Sequence, residues 1–146
     1  MIVTELEHSS NYVPWKNHCE IKCAQFRVAL AQTDGSLRAE DVLDQMDSRT
    51  RLIAVTAMSN VTGFCPDVDR IIREAHKRGV LVLIDAAQAV VHRAISVRQM
   101  KCDFLCFSGH KIYGPMGIGV LYGRKIYLEE MAPYLYGGDM VVKGDR

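Results

Sequence analysis

Near-continuous apolar runs recur along this chain, and most of them close on a short polar segment. Arg51-Leu52-Ile53-Ala54-Val55-Thr56 leads to Ser59-Asn60-Val61-Thr62-Gly63, and Val80-Leu81-Val82-Leu83-Ile84 leads to Asp85-Ala86-Ala87-Gln88. Phe104-Leu105-Cys106-Phe107 leads in the same way to Ser108-Gly109-His110-Lys111. Runs without polar alternation are typical of strands covered on both faces of a sheet. Ile2-Val3-Thr4-Glu5-Leu6 reads as a further short strand that exits into Glu7-His8-Ser9-Ser10-Asn11. Residues 25–30 alternate like a half-buried strand, and 119–122 predicts a last one. Between the strands the period changes. Val68, Ile71, Ile72 and Ala75 share one face of a helix predicted over 67–78, with Gly79 as its stop. Val42, Leu43 and Met46 mark a helix over 38–46, and Val13-Pro14-Trp15 opens another, since proline suits a first turn. Strands alternating with helices imply βαβ units, so the predicted fold class is α/β, with a mostly parallel sheet flanked by helices. No repeat, low-complexity segment or linker divides the chain, which predicts one domain over 1–146.

The order of elements bears on function because ligands of open α/β sheets bind beyond the carboxyl ends of the strands. His8, Asn60, Asp85 and the group Ser108, His110 and Lys111 each fall at or just past a predicted strand end. Singly, each has an ordinary explanation: a solvated histidine, a turn asparagine, a helix-capping aspartate, a surface lysine. Gln88 alone reads as a surface amide. Their coincidence at several strand ends is the signal. Within residues 108–119, four glycines and one proline exclude a helix and demand a loop of tight turns around Lys111.

Composition narrows the partners. The chain is 49% hydrophobic and 24% charged, as soluble globular domains are, and its formal net charge of +1 gives no reason to expect nucleic acid or an anionic membrane surface. No apolar run is long enough to span a bilayer, and charges stand where a signal peptide would be apolar, so the expected location is the cytoplasm. Five cysteines, an odd number set in apolar segments, read as buried reduced thiols rather than a disulfide framework. Cys19 and Cys23 are spaced to share a helix face, but no CxxC or ligand-spaced cluster predicts a metal site.

A lysine held away from water at a strand end can form a Schiff base with a carbonyl cofactor. A partly buried aspartate suits a pyridinium nitrogen, which it keeps protonated so that the ring accepts electrons. Serine and histidine beside the lysine can bind a phosphate, and a histidine from another strand end can stack on the ring. Asparagine and glutamine can reach the phenolic oxygen or a substrate carboxylate. Together these groups are the inventory of a pyridoxal-phosphate site.

Asp85-Ala86-Ala87-Gln88-Ala89, Phe107-Ser108-Gly109-His110-Lys111-Ile112-Tyr113-Gly114-Pro115 and Gly117-Ile118-Gly119 resemble the class V aminotransferase family of fold-type I pyridoxal-phosphate enzymes. Glu7-His8, Val13-Pro14-Trp15, Ser59-Asn60-Val61-Thr62-Gly63 and Tyr136-Gly137-Gly138-Asp139-Met140 are similar to its cysteine desulfurase branch. The resemblance implies that Lys111 carries the cofactor and shuttles a proton, and that Asp85 pairs with the ring nitrogen. It further implies that Gln88 bonds the phenolic oxygen, His8 stacks on the ring, Ser108 and His110 bind the phosphate, and Asn60 faces the substrate side. The implied reaction converts cysteine to alanine and passes sulfur through an enzyme persulfide, for iron–sulfur cluster assembly or similar acceptors, in a homodimer. The family pattern also includes an earlier phosphate-binding glycine/threonine turn, a small domain with a carboxylate-binding arginine, and a persulfide-cysteine loop. None of these is found in the sequence, and none of the five cysteines matches that loop. The expectation is therefore the central part of a large domain without the small C-terminal domain. Two alternatives stand beside the desulfurase: another class V enzyme (aminotransferase, epimerase or kynureninase-like lyase), and a non-catalytic assembly module.

Overall fold

Strand periodicity divides the apolar runs between the two faces of one sheet. The computed structural model of the chain describes residues 1–135; the Tyr136-Gly137-Gly138-Asp139-Met140 stretch lies outside the described residues. Its strands are β1 (Ile2–Thr4), β2 (Arg27–Ala29), β3 (Leu52–Thr56), β4 (Leu81–Asp85), β5 (Phe104–Ser108) and β6 (Gly119–Gly123). They pair in the order β2-β1-β3-β4-β5-β6. Ile53, Val55, Val82 and Ile84 point to the larger core, while Val3, Ala54 and Leu83 form a smaller one on the opposite face with Tyr12, Trp15 and Phe26 against it. The absence of alternation in β3 and β4 is thus explained, since both of their faces are covered, whereas β5 is only half-buried.

The first five strands are mutually parallel, with Leu52 opposite Leu81 and Thr56 opposite Asp85. β6 runs antiparallel to β5, pairing Phe107 with Val120 and Ser108 with Gly119. The reason is length, since residues 109–118 are too few for the crossover that a parallel return needs. The strand order reverses between β1 and β3, the kind of position where open α/β sheets leave a crevice.

The helices are α1 (Val13–Ile21), α2 (Ala39–Leu43), α3 (Val68–Lys77), α4 (Ala89–His92), α5 (Val97–Met100) and α6 (Lys125–Glu130). In α3, Asp67 caps the amino end by accepting the Arg70 N–H at 3.0 Å. At the other end Gly79 takes φ +67°, and the Val80 and Gly79 amides return to the Ala75 and His76 carbonyls. This is the glycine stop expected from the sequence, closed as a Schellman motif. Its buried face is Val68, Ile71, Ile72 and Ala75 as predicted, and each isoleucine contributes about 1.5–3 kcal/mol by leaving water.

Several expectations are corrected. The helix predicted over 38–46 is confined to Ala39–Leu43, after which single turns carry the chain to a still-buried Met46. The strand predicted over 25–30 is only Arg27–Ala29. The glycine-rich loop does contain helix, a 3₁₀ turn over Gly109–Ile112 that ends where Tyr113 adopts φ +64°. Cys19 is buried in α1, but the helix stops at Ile21 and Cys23 lies exposed at φ +50°, so the two do not share a face. Cys65 is exposed as well. Among the described residues, no helix is long and apolar enough to cross a membrane.

Asp103 pins the sheet on the side away from the strand ends. Its side chain is fully buried and accepts the Val82 amide at 2.8 Å, His76 Nε2 at 2.8 Å and Arg124 Nη1 at 3.2 Å. One satisfied carboxylate therefore joins β4, α3 and the end of β6 to the start of β5.

A candidate active site at the carboxyl ends of the strands

Four strands end side by side, and their exits place polar groups around one cavity of about 200 Å³. His8 follows β1, Asn60 follows β3, Asp85 closes β4, Ser108 closes β5, and His110 and Lys111 lie in the 3₁₀ turn after it. With Gln88, all seven residues singled out from the sequence line this cavity. Ser10, Thr56, Met58 and Ala87 line it too and were not singled out. Their signal was adjacency alone, since each stands within four residues of a chosen position.

Each exit is fixed by local bonding. The His8 ring is held by Ser10, whose amide N–H donates to Nδ1 at 3.2 Å and whose hydroxyl lies 2.5 Å from the same atom. An amide can only donate, so Nδ1 accepts and the proton of the neutral ring sits on Nε2. Asn60 rides on a turn whose Ser59 hydroxyl accepts the Val61 and Thr62 amides, and Gly63 closes it at φ +72°. The Lys111 turn is closed by the Gly109 amide donating to Ile118 O at 2.8 Å and the Gly114 amide donating to Gly109 O at 3.0 Å. A Cβ on Gly114 would sit 2.9 Å from that carbonyl oxygen, so the close approach requires glycine.

Asp85 is the electrostatic centre of the cavity. It is 8% exposed, and its Oδ1 accepts the Ala87 amide at 2.9 Å, where it caps the turn into α4. Among the described residues no basic side chain pairs with it. A buried carboxylate without a counter-charge is a site for a cationic ligand atom. Beside it, burial together with Asp85 and Glu7 pushes the Cys106 thiol up to about 12. Burial first, then Asp85, raises Glu7 to about 7 against the hydrogen bonds it accepts.

A second recess of about 390 Å³ shares Ser10, Asp85, Ala87 and Ser108 with the first and continues along β6. A larger cavity of about 470 Å³ lies at the opposite edge of the sheet, between Trp15, Arg27 and Leu52. It holds none of the strand-end residues, so size alone does not mark the site. Among the described residues no cluster of His, Cys, Asp or Glu is arranged to hold a metal ion.

The chain is 48% identical over 141 residues to a cysteine desulfurase of Enterobacter sp. (strain 638), covering 97% of this chain and 35% of that protein. It is 47% identical over 141 residues, with the same coverages, to a cysteine desulfurase of Salmonella typhimurium. The crystal structure of the cysteine desulfurase CsdA (S-sulfonic acid) from Escherichia coli superposes with a TM-score of 0.88 at 41% identity, over 99% of this chain and 36% of that one. The apo structure of cysteine desulfurase from Thermococcus onnurineus NA1 gives 0.81 at 33% identity, over 94% and 34%. The chain thus spans about a third of the length of these relatives. The sequence model of the class-V aminotransferases matches residues 1–145: this chain belongs to the class-V aminotransferase family.

Proposed function

We propose that this chain is the central part of the pyridoxal-phosphate-binding domain of a cysteine desulfurase, which converts cysteine to alanine and passes on the sulfur. The observation that carries the reading is the buried, uncompensated Asp85 facing the same cavity as Lys111 and His8. The residues suit the cofactor in kind. Asp85 offers a negative charge to a ring nitrogen, and among the described residues Lys111 is the only primary amine in the cavity wall. Ser108 and His110 flank it with donors for a phosphate, and the cavity is small for a larger ligand, below the roughly 300–1,000 Å³ of drug-sized pockets. Pyridoxal phosphate, when bound, supplies an electron sink for bonds at the substrate's α and β carbons.

The chain's own groups supply the rest. Lys111 Nζ would hold the cofactor and would take and return a proton at the substrate carbon. Asp85 would pair with the ring nitrogen and keep a proton on it. His8, its Nδ1 engaged by Ser10, would stack on the ring. The Gln88 amide would donate to the phenolic oxygen, and Asn60 would face the substrate. The whole protein is proposed to be a cytoplasmic homodimer, with cysteine as substrate and a sulfur-acceptor protein as partner.

The test is the visible absorption spectrum of the chain with added pyridoxal phosphate, before and after borohydride, beside Lys111→Ala. The expected result is a band absent from Lys111→Ala and abolished by borohydride, with the mass of the reduced cofactor added at Lys111. A folded chain that shows no such band overturns the reading. With the band in hand, alanine release from cysteine by the whole protein decides between the desulfurase and other reactions.

A further inference from the structure

Glu7 stands beside the cavity and takes no part in the chemistry above, yet its carboxyl is held by three hydrogen bonds. Its Oε1 accepts the Thr4 hydroxyl at 2.5 Å and the Thr56 amide at 2.9 Å, and its Oε2 accepts Asn11 Nδ2 at 2.6 Å. The buried Asn11 amide is oriented in turn by the Trp15 indole N–H, which donates to Asn11 Oδ1 at 2.9 Å. Glu7 therefore ties the His8 turn to α1 and to the end of β3, where Thr56 is the register partner of Asp85.

The donors define what this position requires. The Thr56 amide and Asn11 Nδ2 can only donate, and they approach different oxygens. A glutamine would always turn its own NH₂ against one of them. The Thr4 hydroxyl alone can reverse and accept, so a proton can be placed between Glu7 Oε1 and Thr4 Oγ1 without breaking the frame. The titratable groups facing Glu7 from neighbouring strands are Asp85 on β4 and Cys106 on β5, with His8 next in its own turn. None of the ion pairs among the described residues includes Glu7.

We propose that Glu7 is a positioning residue of this site, whose carboxyl fixes the His8 turn against β3 and whose proton sets the charge beside Asp85. The proposal rests on the cofactor reading above. With Glu7 protonated, Asp85 is the lone negative charge under the cavity; with Glu7 ionised, two carboxylates share that space and together hold a cation more strongly. Glu7 titrates near neutrality because burial and Asp85 raise it to about 7. The pairing of Asp85 with the ring nitrogen is then tuned across the working pH range.

The test uses the chain itself. Carbon-13 carboxyl NMR of the cofactor-free protein, with Glu7→Gln to assign the resonance, is expected to show Glu7 titrating near neutral pH. Asp85→Asn moves that midpoint down, and the near-isosteric Thr4→Val moves it up. With pyridoxal phosphate added, the absorption band is expected to change over the same pH range, and its midpoint to rise in Thr4→Val in step with the NMR midpoint. Glu7 titrating in the ordinary carboxylate range, or indifferent to Asp85→Asn, overturns the proposal, as does a band midpoint that stays put in Thr4→Val. A wild-type chain that takes up no pyridoxal phosphate overturns instead the site reading of the preceding section, while the NMR midpoints still decide the coupling of Glu7 to Asp85.

Discussion

Thiols report on their surroundings through the ease with which they ionise. Burial and the neighbouring carboxylates push Cys106 up to about 12, and burial with Asp103 beside it pushes Cys102 up to about 11. Only thiolate reacts at an appreciable rate, so neither is available near neutrality. Cys23 and Cys65 are exposed. Iodoacetamide at mildly alkaline pH is expected to modify Cys23 and Cys65 in the folded chain and to leave Cys19, Cys102 and Cys106 intact until denaturant is added, as peptide mass mapping would show. The sequence suggested five buried thiols because it displays hydrophobic neighbours, whereas exposure depends on where a helix stops. Glu7 illustrates the same limit. Its decisive donor is the amide of Thr56, 49 positions away, and no local pattern announces that bond.

Elements were easier to read than their ends. α3 was evident from end to end because its cap, apolar stripe and glycine stop all agree. α2 and β2 came out shorter than their patterns, since a pattern shows which residues are buried and not which hydrogen bonds close. The cavity was legible because topology does most of the work: parallel strands bring successive exits to one edge, wherever they lie in sequence. The 3₁₀ turn around Lys111 was not, because its glycines are spent on close approach as well as on positive φ. Gly114→Ala tests that distinction. With a Cβ 2.9 Å from Gly109 O, the turn must open and carry Lys111 with it. The variant is expected to keep its far-ultraviolet circular dichroism and to lose most of its pyridoxal-phosphate uptake. Gly117→Ala has nothing within 4 Å of its Cβ and only a φ of +80° to strain, so it should lose stability by about 1 kcal/mol while keeping uptake.

For the molecule as a whole, the Glu7 carboxyl carries a cost in stability that depends on pH. Glu7 is raised from 4.5 to about 7 by folding, so between those values the folded chain holds more protons than the unfolded one. Stability is therefore greatest below the lower value and falls as pH climbs through the upper, by at most about 3 kcal/mol. Asp41 acts in the opposite sense: hydrogen bonds from Arg38 hold it down to about 2, so its contribution is lost only in strong acid. Urea midpoints measured from about pH 5 to about pH 8 should fall in the wild type and stay flatter in Glu7→Gln. A wild-type midpoint that rises over that range would contradict the burial of Glu7.

β1 lies inside the sheet, held on one side by β2 and on the other by β3, both of which follow it in the chain. On the ribosome it must wait for each neighbour in turn, and the wall of the cavity that holds Lys111 is synthesised later still. The histidine turn is therefore translated before either neighbour of its strand and is among the last parts to find its place. Until then the apolar β1 is free to find wrong partners, so the yield of folded protein depends on how quickly residues 52–56 appear beside it.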